Sequence, residues 1–318
     1  MGSDRLKMPP VRDLGFHQRK KHDKWREVPA PSPALEWAVA DSHAHLHMLP
    51  DPAWELVRCA VNGVDLVCTV TDPTEDDVGF VLDIAEGKVG PASDAAESSS
   101  DTAADVLVAV GVHPHNARLY SDEVEQRLMQ LADRDVVRAI GEIGLDYHYD
   151  FSTREEQRRV FARQIRLAQQ LGLPIALHLR SGEDPVEDNA HEQAFRILEE
   201  EGFPQAGTLL HCCTLGPEQL RPWIDAGCFI AYGGALTFKN ADEARAGALL
   251  VPQDKLLLET DAPYMTPEPM RGAACTPAHV IFTAERLAEL RGVQPGPERE
   301  AFLRQVRDNT GRFLVGAV

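Results

Sequence analysis

A (β/α)8 TIM barrel is the fold class this sequence predicts, and three observations predict it. Short apolar runs alternate with amphipathic stretches eight times from Ala38 onward. Eight parallel strands with helices between them close into a barrel. The first run leads into Asp41-Ser42-His43-Ala44-His45, and four later runs each end in another metal-ligating residue type. The runner-up, an open doubly wound sheet, usually carries a Gly-rich phosphate turn after its first strand. Here His-x-His stands in that place.

The elements follow in order. In the His-x-His stretch, side chains two residues apart on a strand share a face, so both imidazoles can reach one ion. Ala53 to Val61 reads as a helix with Trp54, Val57 and Val61 on one side, stopped by Gly63. Val64 to Val70 is the second strand and Asp76 to Ile84 the second helix. Residues 90–104 are Ser, Ala, Asp and Gly without periodicity, which predicts a disordered surface insertion. Val106 to Val110 is the third strand, ending at Gly111-Val112-His113-Pro114-His115. Asp122 to Leu131 is helical, and Val136 to Ile140 is the fourth strand, running into Gly141-Glu142-Ile143-Gly144-Leu145-Asp146-Tyr147.

The next helix carries the clearest signals. Ser152 with Glu155 three residues on makes a capping box, Val160, Phe161, Ile165, Ala168 and Leu171 form one stripe, and Gly172 and Pro174 close it. Strand five is Ile175 to His178, followed by a helix over His191 to Glu200. Strand six is Gly207 to His211, strand seven Cys228 to Tyr232 and strand eight Lys255 to Glu259, ending at Thr260-Asp261. Short helices at Pro217 to Ala226 and Ala241 to Leu250 separate them; helices near Ala278 to Leu290 and Glu298 to Asn309 finish the chain.

Composition narrows the function classes. With 318 residues, 43% hydrophobic content and a formal charge of -18, the chain reads as globular and lacks a broad basic surface for nucleic acid. A local basic mouth is still compatible with that charge. The cysteines at 59, 68, 212, 213, 228 and 275 form no C-x-x-C pair and sit mostly in apolar runs, which predicts reduced thiols and a cytoplasmic protein. No run approaches the roughly 18 apolar residues of a membrane helix, and no apolar signal core is seen at the start. Residues 1–38 stand apart. Arg19-Lys20-Lys21, Lys24 and Arg26 cluster before Pro29, Pro31 and Pro33. That composition predicts a loosely ordered basic, Pro-rich extension before a barrel domain over 39–318, or a basic arm on nucleic acid. Trp25 and Trp37 hint that part of it docks on the body.

Polar residues end strand one (His43, His45), four (Glu142), five (His178), six (His211) and eight (Asp261). A barrel gathers those ends into one mouth. Six such ligands exceed the needs of one tetrahedral zinc and suit two divalent ions roughly 3.5–4 Å apart. Glu142 is the natural bridge, because a carboxylate has two oxygens. Each histidine taken alone reads as an ordinary hydrogen-bonded residue; the shared position at strand ends makes the case.

These residues resemble the TatD family of metal-dependent deoxyribonucleases, among the amidohydrolase-type barrels. The matching stretches are Asp41 to Leu46, Gly111 to His115, Gly141 to Tyr147, Leu173 to His178, Thr237 to Asn240 and Leu258 to Tyr264, spanning roughly 39–314. The resemblance implies that His43, His45, Glu142 and Asp261 hold one metal and Glu142, His178 and His211 a second. It also implies that His113 faces the substrate. Two departures stand out. The family's His-Cys-Phe-Ser-Gly is replaced by His211-Cys212-Cys213-Thr214-Leu215-Gly216, and its Arg-Asn before Pro-Ala by Ala274 and Cys275. A phosphate-binding arginine is thereby lost, and Arg271 is the nearby substitute.

The expected function is therefore hydrolysis of phosphodiester bonds in DNA by an exonuclease acting on single-stranded ends. Two divalent metal ions (Mg, Mn or Zn) would activate the water. Asp261, Glu142 and His113 are the expected catalytic residues, with Asp261 as the base. His113, Arg180, Lys239 and Arg271 are the expected substrate contacts; solvated surface charge is the plainer reading of Arg180 and Lys239. Two other classes compete. A small-molecule amide or ester hydrolase would prefer an ester to oligonucleotides. A non-catalytic binding protein would lose its function on deletion of residues 1–38.

Overall fold

Eight strands lie side by side in chain order, each parallel to the next, in the computed structural model of the chain. The structure describes residues 7–9, 13–31, 38–91, 103–184 and 188–316. Before the barrel come β1 (Phe16–Arg19) and β2 (Trp25–Val28), an antiparallel pair. The barrel strands are β3 (Val39–Ala44), β4 (Val64–Thr71), β5 (Asp105–Val110), β6 (Val137–Asp146), β7 (Ile175–Arg180), β8 (Thr208–Leu210), β9 (Phe229–Tyr232) and β10 (Leu256–Leu258). The helices are α1 (Pro52–Val61), α2 (Val78–Ala85), α3 (Asp122–Ala132), α4 (Arg154–Leu171), α5 (Ala190–Glu201), α6 (Pro217–Asp225), α7 (Asp242–Leu250), α8 (Val280–Leu290) and α9 (Pro297–Val315).

The seam between β3 and β10 closes the ring. Ala44 and Ala262 form a parallel bridge, Asp261 N–H donates to His43 O at 2.9 Å, and His45 N–H donates to Ala262 O at 2.7 Å. The buried Asp41 carboxylate bolts the same seam. Its Oδ1 accepts Thr260 N–H at 2.9 Å and its Oδ2 accepts the Thr260 hydroxyl at 2.5 Å. Backbone pairing is sparse here, so these buried side-chain bonds hold β3 in register beside β10.

The interior of the ring is narrow and is filled mainly by small residues. Ala40, Ala109, Ala139, Ala176 and Ala231 pack with Leu66, Leu209 and Leu257, and Phe313 and Leu314 from α9 join them. The larger cluster lies between sheet and helices and includes Ile140, Ile143, Phe161, Ile165, Ile175, Leu220 and Trp223. Burial on both faces is why the strands read as continuous apolar runs.

Local chemistry sets the helix ends. Asp51 caps α1 by accepting Trp54 N–H at 3.0 Å, Ser121 caps α3, and Asn189 caps α5. The capping box of α4 is Thr153 with Glu156, not Ser152 with Glu155. Ser152 is used elsewhere: its hydroxyl donates to His115 O at 2.8 Å and accepts Arg118 N–H at 3.1 Å. Helix α4 stops at Gly172, whose φ of 65° suits a residue without Cβ. Three elements run longer than the sequence suggests. Strand β6 continues through Asp146, β7 reaches Arg180, and α9 continues past Asn309 to Val315.

Part of the N-terminal extension packs on the barrel. Within residues 13–31, β1 and β2 form a hairpin whose Phe16 is 1% exposed and packs edge-on against Phe282 at 5.0 Å. The Arg58 guanidinium lies over the Phe16 ring and donates to Gly15 O at 2.7 Å. One aromatic plug and a few backbone acceptors suffice to dock a segment that carries little apolar surface of its own. Trp37 and most of the expected insertion, residues 92–102, lie outside the described residues. The cysteines are free thiols, five of them buried and Cys212 partly so. No described helix is long and apolar enough to cross a membrane.

Candidate metal centre

Glu142 sits near the centre of the barrel mouth, and its two oxygens face different partners. Oε2 stands 3.3 Å from His43 Nε2 and 3.9 Å from His45 Nε2. Oε1 stands 2.5 Å from His178 Nδ1, 3.1 Å from His211 Nε2 and 3.8 Å from His113 Nε2. Asp261 joins the first side, with Oδ1 at 3.3 Å from His45 Nε2 and 3.9 Å from His43 Nε2. His43, His45 and Asp261 form one compact donor group, and His113, Glu142 and His178 form another.

The strands explain the convergence. His43 and His45 follow one another on the same face at the end of β3. Glu142 lies within β6, His178 within β7, and His211 one residue past β8. At Gly144, beside His178 in the β6–β7 register, a Cβ would stand 2.1 Å from His178 O, and φ is +146°. Only glycine lets β6 pass this close to the strand that presents His178. Asp261 adopts a φ of 57° just beyond β10, a left-handed conformation that costs a non-glycine residue some strain.

Electrostatics mark the cluster as one that wants a cation. Burial would raise the Glu142 carboxyl, but His43, His211 and His178 around it hold it well below its usual range. Burial likewise opposes the charge on His178, yet Glu142 and Asp146 lift it to about 9. His211 is lifted well above normal by Glu142 and Glu259 against the same opposition. His43 moves the other way, lowered chiefly by burial and then by its neighbour His211. Carboxylates that draw protons onto histidines will draw a divalent ion in their place, because a ligand must shed its proton to bind. His43 fits that role on a separate ground. Both its ring nitrogens are buried without a hydrogen-bond partner, an arrangement that is costly unless something else satisfies them.

A second layer of carboxylates stands behind these residues, and sequence reasoning missed it. Asp146 Oδ2 lies 3.2 Å from His178 Nε2 and 2.8 Å from His115 Nε2. Burial disfavours its charge, but His115 and His178 hold it well below the usual carboxylate range. Glu259, fully buried, accepts Cys212 N–H and stands 3.7 Å from His211 Nδ1. Asp41 accepts His43 N–H at 3.2 Å while bolting the seam. All three lie inside the stretches that carry the resemblance, but the partners of Asp146 and Glu259 lie on neighbouring strands, which spacing along one strand does not mark.

The remaining expected residues are placed as follows. His113 is beside Glu142 as given above, and its Nδ1 accepts His115 N–H at 3.2 Å. Arg180, at the end of β7, lies over the Tyr149 ring at 4.9 Å. Lys239 and Arg271 are not among the contacts of Glu142. They line a separate cavity of about 430 Å³ with Thr214, Phe238 and Glu268, formed by the loops that follow β8, β9 and β10. In it the Arg271 guanidinium stacks 3.9 Å from the Phe238 ring centre.

Comparison with known proteins agrees with this architecture. The family model described as TatD related DNase matches residues 40–314. YabD of Bacillus subtilis, an uncharacterized metal-dependent hydrolase, is 38% identical over 186 residues, 58% of this chain and 70% of that protein. TatD of Escherichia coli strain K12, a 3'-5' ssDNA/RNA exonuclease, is 34% identical over 211 residues, 65% of this chain and 76% of that one. Among solved structures, the Escherichia coli TatD homologue YJJV superposes with a TM-score of 0.69 at 25% identity, over 87% of this chain and 97% of its own.

Proposed function

The chain belongs to the TatD-related DNase family of metal-dependent hydrolases, and on that footing we propose that it hydrolyses phosphodiester bonds of DNA, removing nucleotides from single-stranded ends at a centre for two divalent metal ions. One observation carries the reading: Glu142 turns one oxygen to His43 and His45 and the other to His178 and His211. A carboxylate so placed is a bridge between two cation positions. His43, His45, Glu142 and Asp261 would hold the first, and Glu142, His178 and His211 the second. The four imidazoles and two carboxylates suit zinc or manganese, and magnesium fits the carboxylate side. When bound, such ions polarise a phosphoryl oxygen and lower the pKa of water.

The chain's own residues supply the rest. Asp261 has Oδ1 turned to His45, and we assign Oδ2 to take the proton of the attacking water. Burial and the neighbouring His178 push His113 well below the usual histidine range, so its ring is neutral. Because Nδ1 accepts His115 N–H, the ring proton sits on Nε2, the nitrogen that faces Glu142. His113 is thus set to donate to a non-bridging phosphate oxygen. Lys239, Arg271 and Arg180, on the same end of the barrel, would meet phosphates farther along the strand.

A pit favours a free end over an intact duplex, whose bases would have to be unstacked at a cost of a few kcal/mol. The exonuclease relative in Escherichia coli, acting 3'-5' on ssDNA and RNA, supports both the strand preference and the direction. The test is digestion of a 5′-labelled single strand with magnesium or manganese, with and without chelator. A ladder shortening from the 3′ end, abolished by chelator and by Glu142→Gln with circular dichroism unchanged, is expected. Cleavage persisting in Glu142→Gln would place the chemistry elsewhere. Hydrolysis of a small ester without any strand cleavage would replace the nuclease reading.

A further inference from the structure

We propose that Tyr149 and Phe151, with Arg180 beside them, form a platform on the rim of the mouth that stacks an unpaired nucleobase of the strand; this rests on the nuclease reading and names how its substrate is held. The two rings lie 5.5 Å apart, inclined by 33°. Phe151 is 45% exposed, and Arg180 lies over the Tyr149 ring. A single exposed phenylalanine means nothing by itself. Three further facts give this one meaning.

The first is position. His115 packs against Phe151 at 4.8 Å and against Tyr149 at 5.4 Å. His115 bonds Asp146, Asp146 bonds His178, and His178 bonds Glu142. The platform is therefore four side-chain contacts from the carboxylate at the middle of the site. The second is rigidity. Asp146 Oδ1 accepts His148 N–H at 2.9 Å and Tyr149 N–H at 3.2 Å, while Arg118 donates to Phe151 O at 2.9 Å. Ser152 ties the end of the loop to His115 O. Phe151 is exposed and Tyr149 is half-buried under Arg180, and an aromatic edge on a loop pinned at both ends is preorganised for a flat ligand, because little ordering entropy is left to lose. The third is charge. Arg180 places a guanidinium beside the rings, so a base on the aromatic face and its phosphate on the cation can be met together.

The occupant that matches is an unpaired base. Only outside a duplex is a base face free to stack on a side chain, and stacking tolerates any base. The platform would thus contribute to preference for single strands without reading sequence.

The test separates this contact from the chemistry by using binding without turnover. The chelated protein is mixed with a single-stranded oligonucleotide carrying 2-aminopurine near its 3′ end. Stacking should quench the fluorophore, and Phe151→Ala should abolish the quench and weaken binding about 10-fold. Phe151→Trp should restore both. The same oligonucleotide with an abasic residue in place of the fluorophore should bind wild type and Phe151→Ala alike. Equal weakening on the abasic strand, or a quench that survives both Phe151→Ala and Tyr149→Ala, would overturn the platform. Quenching by wild type that never leads to cleavage with any divalent metal would overturn the nuclease reading and leave the platform standing.

Discussion

Asp146 grips His178 from behind: Asp146 Oδ2 lies 3.2 Å from His178 Nε2, while the opposite ring nitrogen, Nδ1, lies 2.5 Å from Glu142 Oε1. The imidazole is held between two carboxylates, one in the site and one beneath it. Such a partner fixes both the ring's orientation and the nitrogen left for a metal. Asp146→Asn keeps the shape and removes the charge. Affinity for manganese, followed by calorimetric titration of metal-free protein, should fall about 10- to 100-fold. Unchanged affinity would show that His178 needs no such support.

His178→Ala removes the proposed ligand itself. His178 lies at the mouth, partly exposed and outside the packed barrel interior. The fold should persist, and elemental analysis should show the second metal position emptied or weakened. A stoichiometry equal to that of wild type would contradict the assignment of that position.

Phe16→Ala tests the docking of the N-terminal hairpin. The ring is 1% exposed and touches His279, Phe282 and the Arg58 guanidinium. Truncating a buried phenylalanine costs about 3–5 kcal/mol in well-packed cores. A hairpin that can lift away should lose less, about 2 kcal/mol, read from the shift of a urea midpoint at unchanged slope. No shift would return this segment to the loose extension that its composition suggests.

The contrast between barrel and hairpin shows what a sequence pattern can carry. Barrel strands bury both faces, so each announces itself as an apolar run, and the candidate ligands His43, His45, Glu142, His178, His211 and Asp261 stand out as polar residues that follow those runs. The hairpin strands β1 and β2 have four residues each and bury only Phe16, too little for a periodic signal. The capping box failed for a different reason. Ser152-Thr153-Arg154-Glu155-Glu156 contains the motif in two frames, and the choice was made by Ser152 bonding His115 O across the fold. Asp146 and Glu259 were unread because their function depends on which histidine lies behind which strand, a relationship that spacing along one strand does not contain.

His279 should make the acid side of the stability curve steeper. The side chain is 3% exposed, and its Nδ1 accepts Thr276 N–H at 2.9 Å. Burial, and next the Arg58 guanidinium, push its pKa down to about 3. Arg58 is itself paired with the buried Glu55 at 3.2 Å and bonded to the Thr276 hydroxyl. The folded pKa is thus below the unfolded value near 6.5. Between those two values the unfolded chain binds the proton and the folded chain does not, so stability rises with pH across the window. The contribution is fully present above about pH 6.5 and is lost as pH falls toward 3. By pH 4 the loss from this one group is about 3 kcal/mol. His279→Asn keeps an acceptor for Thr276 N–H and removes the titration. Urea unfolding of wild type and variant, measured in chelator from pH 7 to pH 4, should give curves that converge as pH falls, because only the wild type loses this contribution. Curves that stay parallel throughout would show that His279 does not titrate differently in the folded chain.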